Sequence, residues 1–358
     1  MIVYFTKQYQ AVPALMQLYL GTGGIFVSTR GSTVKAIRKV YPDVPVVKLN
    51  ERFGRFSAGE RSLRKADLII TGSPNRELLE RYHARKCMVF HGTYAFMAQE
   101  EIDGLAHFDI ICAIGPRMQQ ALQGTGLESK IIVSGYLPFM EFPPRDAAAR
   151  AEYLKRLCLS PQNKTLLYLP RGRPYGSWDI MAERLLRQMP NTYNLILRPH
   201  PSQSVTARIR DHFRFMHLHR LCRKRGNALL DLTTCKLSTL LSVADLVISD
   251  GASSPEEALF YDLPQVFIES AGSSPTAIAA MMRKKKLSED YIEKLLTIYR
   301  CGKSITPEMP DMLVVIEAAM AESEHYRPHR EAYFSWVFGD KEMVKQQQLI
   351  QQLRQYAT

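Results

Sequence analysis

The sequence predicts an α/β fold built as two successive units, each a parallel sheet wrapped by helices. Three observations predict it. Short apolar runs recur along most of the chain, helix-length amphipathic stretches separate them, and the runs are continuously apolar rather than alternating. Continuous apolar character belongs to strands covered on both faces, and strands alternating with helices belong to parallel sheets. At 358 residues the chain can form two domains of ordinary size, each with its own core.

In the first part "GIFVST", "VPVVKL", "ADLIITG", "KCMVFHG", "FDIICAIG" and "KIIVSGY" read as strands; in the second, "TLLYLP", "NLILRP", "ALLDLT", "ADLVISD" and "LPQVFIE" do. Helical spacing is found in 73–85, 115–124, 179–189 and 236–243. The boundary is expected within 138–164, where a proline cluster precedes a helical segment. Past residue 275 the pattern turns to helix, ending in the amphipathic "KEMVKQQQLIQQLRQY". There is no internal repeat.

Hydrophobic content of 46% and charged content of 23% are those of a soluble globular protein. The apolar runs are far shorter than a bilayer-spanning helix, and "MIVYFTKQYQ" does not read as a signal peptide. Six cysteines without a C-x-x-C pair read as free thiols in a reducing cytoplasm. The formal charge of +12 favours an anionic partner: a phosphorylated substrate, an anionic membrane surface or nucleic acid. Dispersed basic residues and the absence of a recognised module make nucleic acid the weakest, and no nucleic acid is expected. The expected location is the cytoplasm, peripherally on the inner face of the plasma membrane.

No G-x-G-x-x-G, Walker or H-E-x-x-H pattern occurs, nor a D-x-D pair for holding a metal against a nucleotide diphosphate. No metal or cofactor is therefore expected. Three strand ends of the second half carry equipment for an anion instead. "LLYLPRGRPYGSW" (166–178) stops a strand at a proline and sets Arg171 and Arg173 around Gly172. "NLILRPHPSQ" (194–203) ends in Arg198-Pro199-His200-Pro201, and proline on either side of the imidazole ends the ladder and stiffens the turn. "LVISDGASSPEEALFYDLPQVF" (246–267) ends at Asp250, turns through Gly251-Ala252-Ser253-Ser254 and opens a helix at Pro255. Serine hydroxyls and unpaired N–H groups at a helix start suit an anion, while Glu256 and Glu257 suit sugar hydroxyls, as ribose-binding carboxylates do. In the first half "KCMVFHGTYAFMA" (86–98) ends a strand at His91-Gly92-Thr93, where His91 is placed to act as a general base.

Each residue also has a plain structural role open to it. Arg171 and Arg173 would serve as surface charges, Ser254 as a helix cap, and His91 and His200 as turn histidines bonded to backbone. The coincidence of three such strand ends in one sheet favours the functional reading. His212, His217 and His219 lie on what reads as a solvated basic face. His325 and His329 lack a third metal ligand. "MMRKKK" (281–286) either touches anionic lipid or is a solvated helix end.

In order and spacing, "VFHGTY", "LLYLPRGR", "LILRPHP" and "VISDGASSPEEALFYDLPQVF" resemble the CDP-glycerol glycerophosphotransferase family, the teichoic-acid-type glycerol phosphate transferases of cell-surface polysaccharide biosynthesis. The resemblance covers roughly residues 65–270. It implies a GT-B architecture of two Rossmann-like domains facing a central cleft, with the C-terminal helix crossing back. On this basis 1–145 is the acceptor domain, 146–330 the nucleotide-donor domain, and 331–358 the helix packing on the first domain. It implies transfer of glycerol phosphate from CDP-glycerol to a hydroxyl of a glycan or lipid-linked acceptor, with release of CMP. His91 and His200 would be catalytic; Arg173, Arg198, His200, Ser253 and Ser254 would hold the donor phosphates. Glu256 and Glu257 would take the ribose, with Asp250, Gly92, Thr93 and Arg171 also at the site. Two departures stand out: Gly251-Ala252 makes the serine segment one residue longer than the family's D-Y-S-S, and Tyr94 replaces the usual proline after Thr93. The segment from Asp250 to Ala258 is also similar to the UDP-N-acetylglucosamine 2-epimerase pattern D-S-G-G-x-x-E-E-A. A GT-B sugar transferase or epimerase using a nucleotide-activated sugar is therefore the alternative, and a binding protein without turnover a third.

Overall fold

The computed structural model describes residues 1–50, 56–94, 97–205, 208–251, 253–341 and 346–356, with Ser253 and Gln346 described by backbone alone. The chain divides into two compact units, Met1–Glu141 with Ser335–Thr358, and Phe142–Phe334.

The first unit holds a seven-stranded sheet in the order β3-β2-β1-β4-β5-β6-β7. Its strands are β1 Ile2–Phe5, β2 Ile25–Ser28, β3 Val46–Lys48, β4 Leu68–Thr71, β5 Arg85–Val89, β6 Ile110–Ala113 and β7 Ile131–Val133. Every pairing is parallel. Each apolar run read from the first part of the sequence is a strand here. The central strand β1 was not among them: four residues at the chain start, with no turn signal before them, carry too little periodicity to read. It is nevertheless buried throughout and pairs Val3 with both Ile25 and Ile69. The helix Gln346–Gln355 packs on the helix Val12–Thr22, burying Leu349 and Leu353, with Ile350 lying against Gly21.

The second unit holds a six-stranded parallel sheet, ordered β10-β9-β8-β11-β12-β13. Its strands are β8 Lys164–Leu169, β9 Tyr193–Leu197, β10 Ala228–Leu230, β11 Leu246–Ser249, β12 Gln265–Ile268 and β13 Lys303–Ile305. The period of two is plain in β8. Leu166 and Tyr168 enter one core with Trp178, Leu185 and Phe215, whereas Leu167 and Leu169 enter another with Leu154, Leu240 and Leu263. Burial on both faces is why the sequence shows runs rather than alternation. One element differs from expectation: edge strand β13 lies where only helix was read, while the helix Ser323–Phe338 runs through Pro328. Among the described residues no helix is long and apolar enough to cross a membrane.

In both sheets the strand order reverses after the first strand of the unit, between β1 and β4 and between β8 and β11. Open parallel sheets bind ligands at the carboxyl ends of the strands flanking such a reversal, because the connections leave there in opposite directions and open a crevice.

Candidate functional site

At the reversal in the second unit, the turn after β8 is fastened to the end of β11. Asp250, fully buried, accepts the backbone N–H of Arg171 and of Ser177 through Oδ2, both at 2.8 Å. One carboxylate thus holds both ends of the turn, while burial raises its proton affinity above the usual carboxylate value. Its Oδ1 has no hydrogen-bond partner among the described residues. Gly251 follows with φ +67°, and a Cβ there would stand 2.6 Å from the Tyr299 hydroxyl, so both backbone and space require glycine. Tyr299 donates to the Ser273 carbonyl at 2.7 Å, tying in the loop after β12.

The end of β9 lies against the same turn. A Cβ on Gly172 would fall 2.9 Å from His200 Nδ1 and 3.1 Å from Ser202 Oγ. His200 caps the short helix Pro201–Ser204: its Nδ1 accepts the Ser202 N–H at 3.2 Å and lies 2.7 Å from the Ser202 hydroxyl. A ring whose Nδ1 accepts carries its proton on Nε2 when neutral. His200 is therefore set to donate from Nε2.

The three arginines differ sharply. Arg173 bonds Asp179 through Nε and Nη2, both at 2.9 Å, and Asp211 through Nη1 at 2.6 Å, and these carboxylates hold its charge firmly in place. Arg198 is buried; its Nη1 donates to the fully buried Asp231 and to the Cys235 carbonyl. Both residues, which the resemblance places at donor phosphates, are thus ion-paired with carboxylates of their own unit. Arg171 makes no ion pair among the described residues. Its guanidinium lies over the Tyr175 ring at 5.6 Å, its Nη1 is buried without a hydrogen-bond partner, and desolvation lowers its proton affinity against the pull of Asp250. Arg171 is the arginine of this edge with hydrogen-bonding capacity left over.

In the serine segment Ala252 lies outside the described residues. The helix runs Ser253–Ala258, so Ser254 stands in its first turn rather than at a cap before Pro255. Glu256, expected with Glu257 at the ribose, is buried and accepts the Tyr333 hydroxyl at 2.9 Å; Glu257 is half-buried.

In the first unit His91 stands beyond β5, next to the end of β4. Its Nδ1 donates to the Gly72 carbonyl at 2.5 Å, because that oxygen can only accept, and the Tyr94 ring meets it edge-on. The neutral ring therefore presents a bare Nε2, the reverse of His200. Burial lowers the imidazole's proton affinity, opposed by the bond to Gly72. Gly92 is half-buried; Thr93 is buried and its carbonyl accepts Arg117 Nη2 at 2.7 Å, so it shapes the turn from behind. Among the described residues no group of three His, Cys, Asp or Glu side chains could hold a metal ion, His325 and His329 included. Sequence reasoning did not mark Ser202, Tyr299 or Gly72. Ser202 sits two residues from His200, the one local signal available; the other two reach the site only through folding.

Two parallel-sheet units in this strand order, with the terminal helix returned to the first, make a GT-B fold. The chain is similar over 99% of its length to the wall teichoic acid polymerase TagF, covering 88% of that chain at 14% identity with a TM-score of 0.66. A variant of TagF soaked with CDPG matches to the same extent. HepE of Anabaena in complex with UDP and glucose matches with 99% of each chain covered, 13% identity and a TM-score of 0.53. No protein-family model matches the chain, and no curated protein matches it.

Proposed function

We propose that the protein is a transferase that moves glycerol phosphate from CDP-glycerol to a hydroxyl of a cell-surface glycan or lipid-linked precursor, releasing CMP. The observation that carries this reading is the edge of the second sheet, where an Nε2–H of His200 and Arg171, which has no ion pair among the described residues, belong to adjoining turns. A hydrogen-bond donor and a partly desolvated cation are what a diphosphate needs when its bridging bond breaks. The likeness to TagF and the motif order support CDP-glycerol as the donor.

In this reading His91 Nε2 takes the proton of the acceptor hydroxyl. The acceptor oxygen forms a bond to the phosphorus bearing glycerol, and the bond from that phosphorus to the bridging oxygen breaks. The electron pair leaves with CMP, whose new charge is met by His200 and Arg171, with Ser253 and Ser254 at the neighbouring helix start. Glu256 and Glu257 take the ribose. Arg173 and Arg198 act from behind, holding their turns through Asp179, Asp211 and Asp231.

Purified protein incubated with CDP-glycerol and an acceptor preparation is expected to release CMP, and His200→Ala to lose most of that release. A second reading, a GT-B enzyme using a UDP-sugar, is favoured by the full-length likeness to HepE, whose complex with UDP-glucose also matches (14% identity, TM-score 0.52). Release of a nucleoside diphosphate from a sugar nucleotide, with none of CMP from CDP-glycerol, would replace the first reading by the second.

A further inference from the structure

Tyr94 is held where tyrosine is rarely found. Its φ is +47°, in the left-handed region that a bulky side chain enters only under constraint. Two contacts supply the constraint. The carbonyl of Thr93 accepts a bond from Nη2 of the buried Arg117 at 2.7 Å, which fixes the peptide leading into Tyr94. The Tyr94 ring stands edge-on to Phe90, with centroids 4.7 Å apart. This backbone turns the phenol back toward His91, three residues earlier. The two rings meet at 87° with centroids 5.5 Å apart, and the hydroxyl oxygen lies 3.3 Å from His91 Nδ1 and 3.4 Å from the Gly72 carbonyl oxygen. Proline, expected after Thr93 from the resemblance, would be confined to a φ of about −65° and has no hydroxyl, so it could not build this arrangement.

The Gly72 carbonyl is itself pinned. Thr71 donates to the Ser73 carbonyl at 3.0 Å and accepts the Ser73 N–H at 3.3 Å, and a Cβ on Gly72 would stand 2.4 Å from the Ala11 Cβ. The carbonyl oxygen has two lone pairs and receives both the His91 Nδ1–H at 2.5 Å and the Tyr94 hydroxyl. Burial, and after it the charge of Glu101, raise the phenol's proton affinity, so the hydroxyl stays protonated and donates.

We propose that Tyr94 is a positioning residue for His91: its ring edge sets the plane of the imidazole, and its hydroxyl oxygen shares the Nδ1–H when that ring becomes a cation. The proposal rests on the reading of His91 as the base. A base that takes the acceptor's proton on Nε2 carries a positive charge at once, and a charge away from water needs acceptors. Here the Nδ1–H of the imidazolium faces two oxygens, one of a carbonyl and one of a phenol, and neither is charged. A carboxylate in that place would hold the ring protonated at rest. Two fixed dipoles leave it neutral and support it as the proton arrives, the contacts to the hydroxyl shortening as the charge forms. Tyr94 touches neither substrate nor the reacting atoms in this role and acts through His91 alone.

The first half of the test needs no donor. The full chain with isotope-labelled histidine is titrated by NMR as wild type and as Tyr94→Phe, with His91→Gln assigning the His91 signal. Expected are an Nδ1–H tautomer in wild type and a His91 midpoint that falls in Tyr94→Phe, which keeps the ring on Phe90 and loses only the hydroxyl. In the second half, CMP release from CDP-glycerol should show kcat about tenfold lower in Tyr94→Phe with KM for donor and acceptor unchanged, since the lost contact acts only on the forming cation. Thermal melts of both proteins check the fold. An Nε2–H tautomer in wild type, a midpoint unmoved in the variant, or a loss confined to KM would overturn the proposal; a lowered melting temperature with the midpoint unmoved would leave Tyr94 a structural residue and overturn it too. A wild type that releases no CMP would strike the functional reading instead, and the titration alone would then decide the role of Tyr94.

Discussion

Asp250 accepts the backbone N–H of Arg171 at 2.8 Å, so a carboxylate at the end of one strand fixes the turn that follows its neighbour. The same oxygen takes the N–H of Ser177 at the far end of that turn. Asp250→Ala would strand two donors at the sheet edge. We expect a loss of about 2–4 kcal/mol in urea unfolding and a larger fall in kcat/KM than that loss explains. Asp250→Asn keeps an acceptor oxygen in place and should retain most of the stability.

The arginines should separate into opposite classes. Arg198→Ala leaves the fully buried Asp231 unpaired and is expected to cost about 3–5 kcal/mol in unfolding free energy. Arg171→Ala breaks no ion pair among the described residues; its melting temperature should stay near wild type while KM for the donor rises about tenfold or more. Equal destabilisation by the two would refute the assignment of Arg171 to the donor.

Gly172→Ala offers a positional test. The added methyl would crowd His200 Nδ1 at 2.9 Å and must displace the imidazole or the Ser202 hydroxyl. CMP release should fall at least about tenfold with little change in thermal stability, since a small displacement of a reacting group costs rate before it costs fold.

His91 gives the pH dependence. Burial holds its proton affinity below the ordinary imidazole value of 6.5, so the unfolded chain binds the proton first as pH falls. The neutral ring's contribution to stability is complete above 6.5 and is lost as pH drops through the lower, folded value. Wild type should therefore lose melting temperature on acidification more steeply than His91→Gln. As the proposed base, His91→Gln should slow turnover about a hundred- to ten-thousand-fold, and the acid limb of the wild-type rate profile should lie below the ordinary imidazole value.

Much of the fold is legible in residue order, because strands buried on both faces must be continuously apolar and parallel strands need helical returns. "TLLYLP" and "ADLVISD" are strands for that reason, and the prolines and glycine after them place Arg171, His200 and Asp250 at carboxyl ends. β1 escapes because no turn signal precedes it, and β13 because Lys303-Ser304-Ile305 has a single apolar residue; neighbouring strands, not local pattern, make them. "HLHRLCRKR" reads as a solvated face because charge dominates its composition, while exposure of Phe213 and Ile209 depends on which side of the helix the sheet takes.

The sequence by itself determined which side chains stand at the strand ends: His91, Arg171, Arg173, His200, Asp250, Ser254. Only the tertiary structure decided what each has left to offer. Asp179, Asp211 and Asp231 claim two arginines and leave Arg171; Tyr333 claims Glu256; the Gly72 carbonyl and the Ser202 N–H give the two histidines opposite tautomers. Most of those partners come from distant parts of the chain. Hydrogen bonds and ion pairs act over a few ångströms of space, and distance along the sequence does not reveal who will fill them.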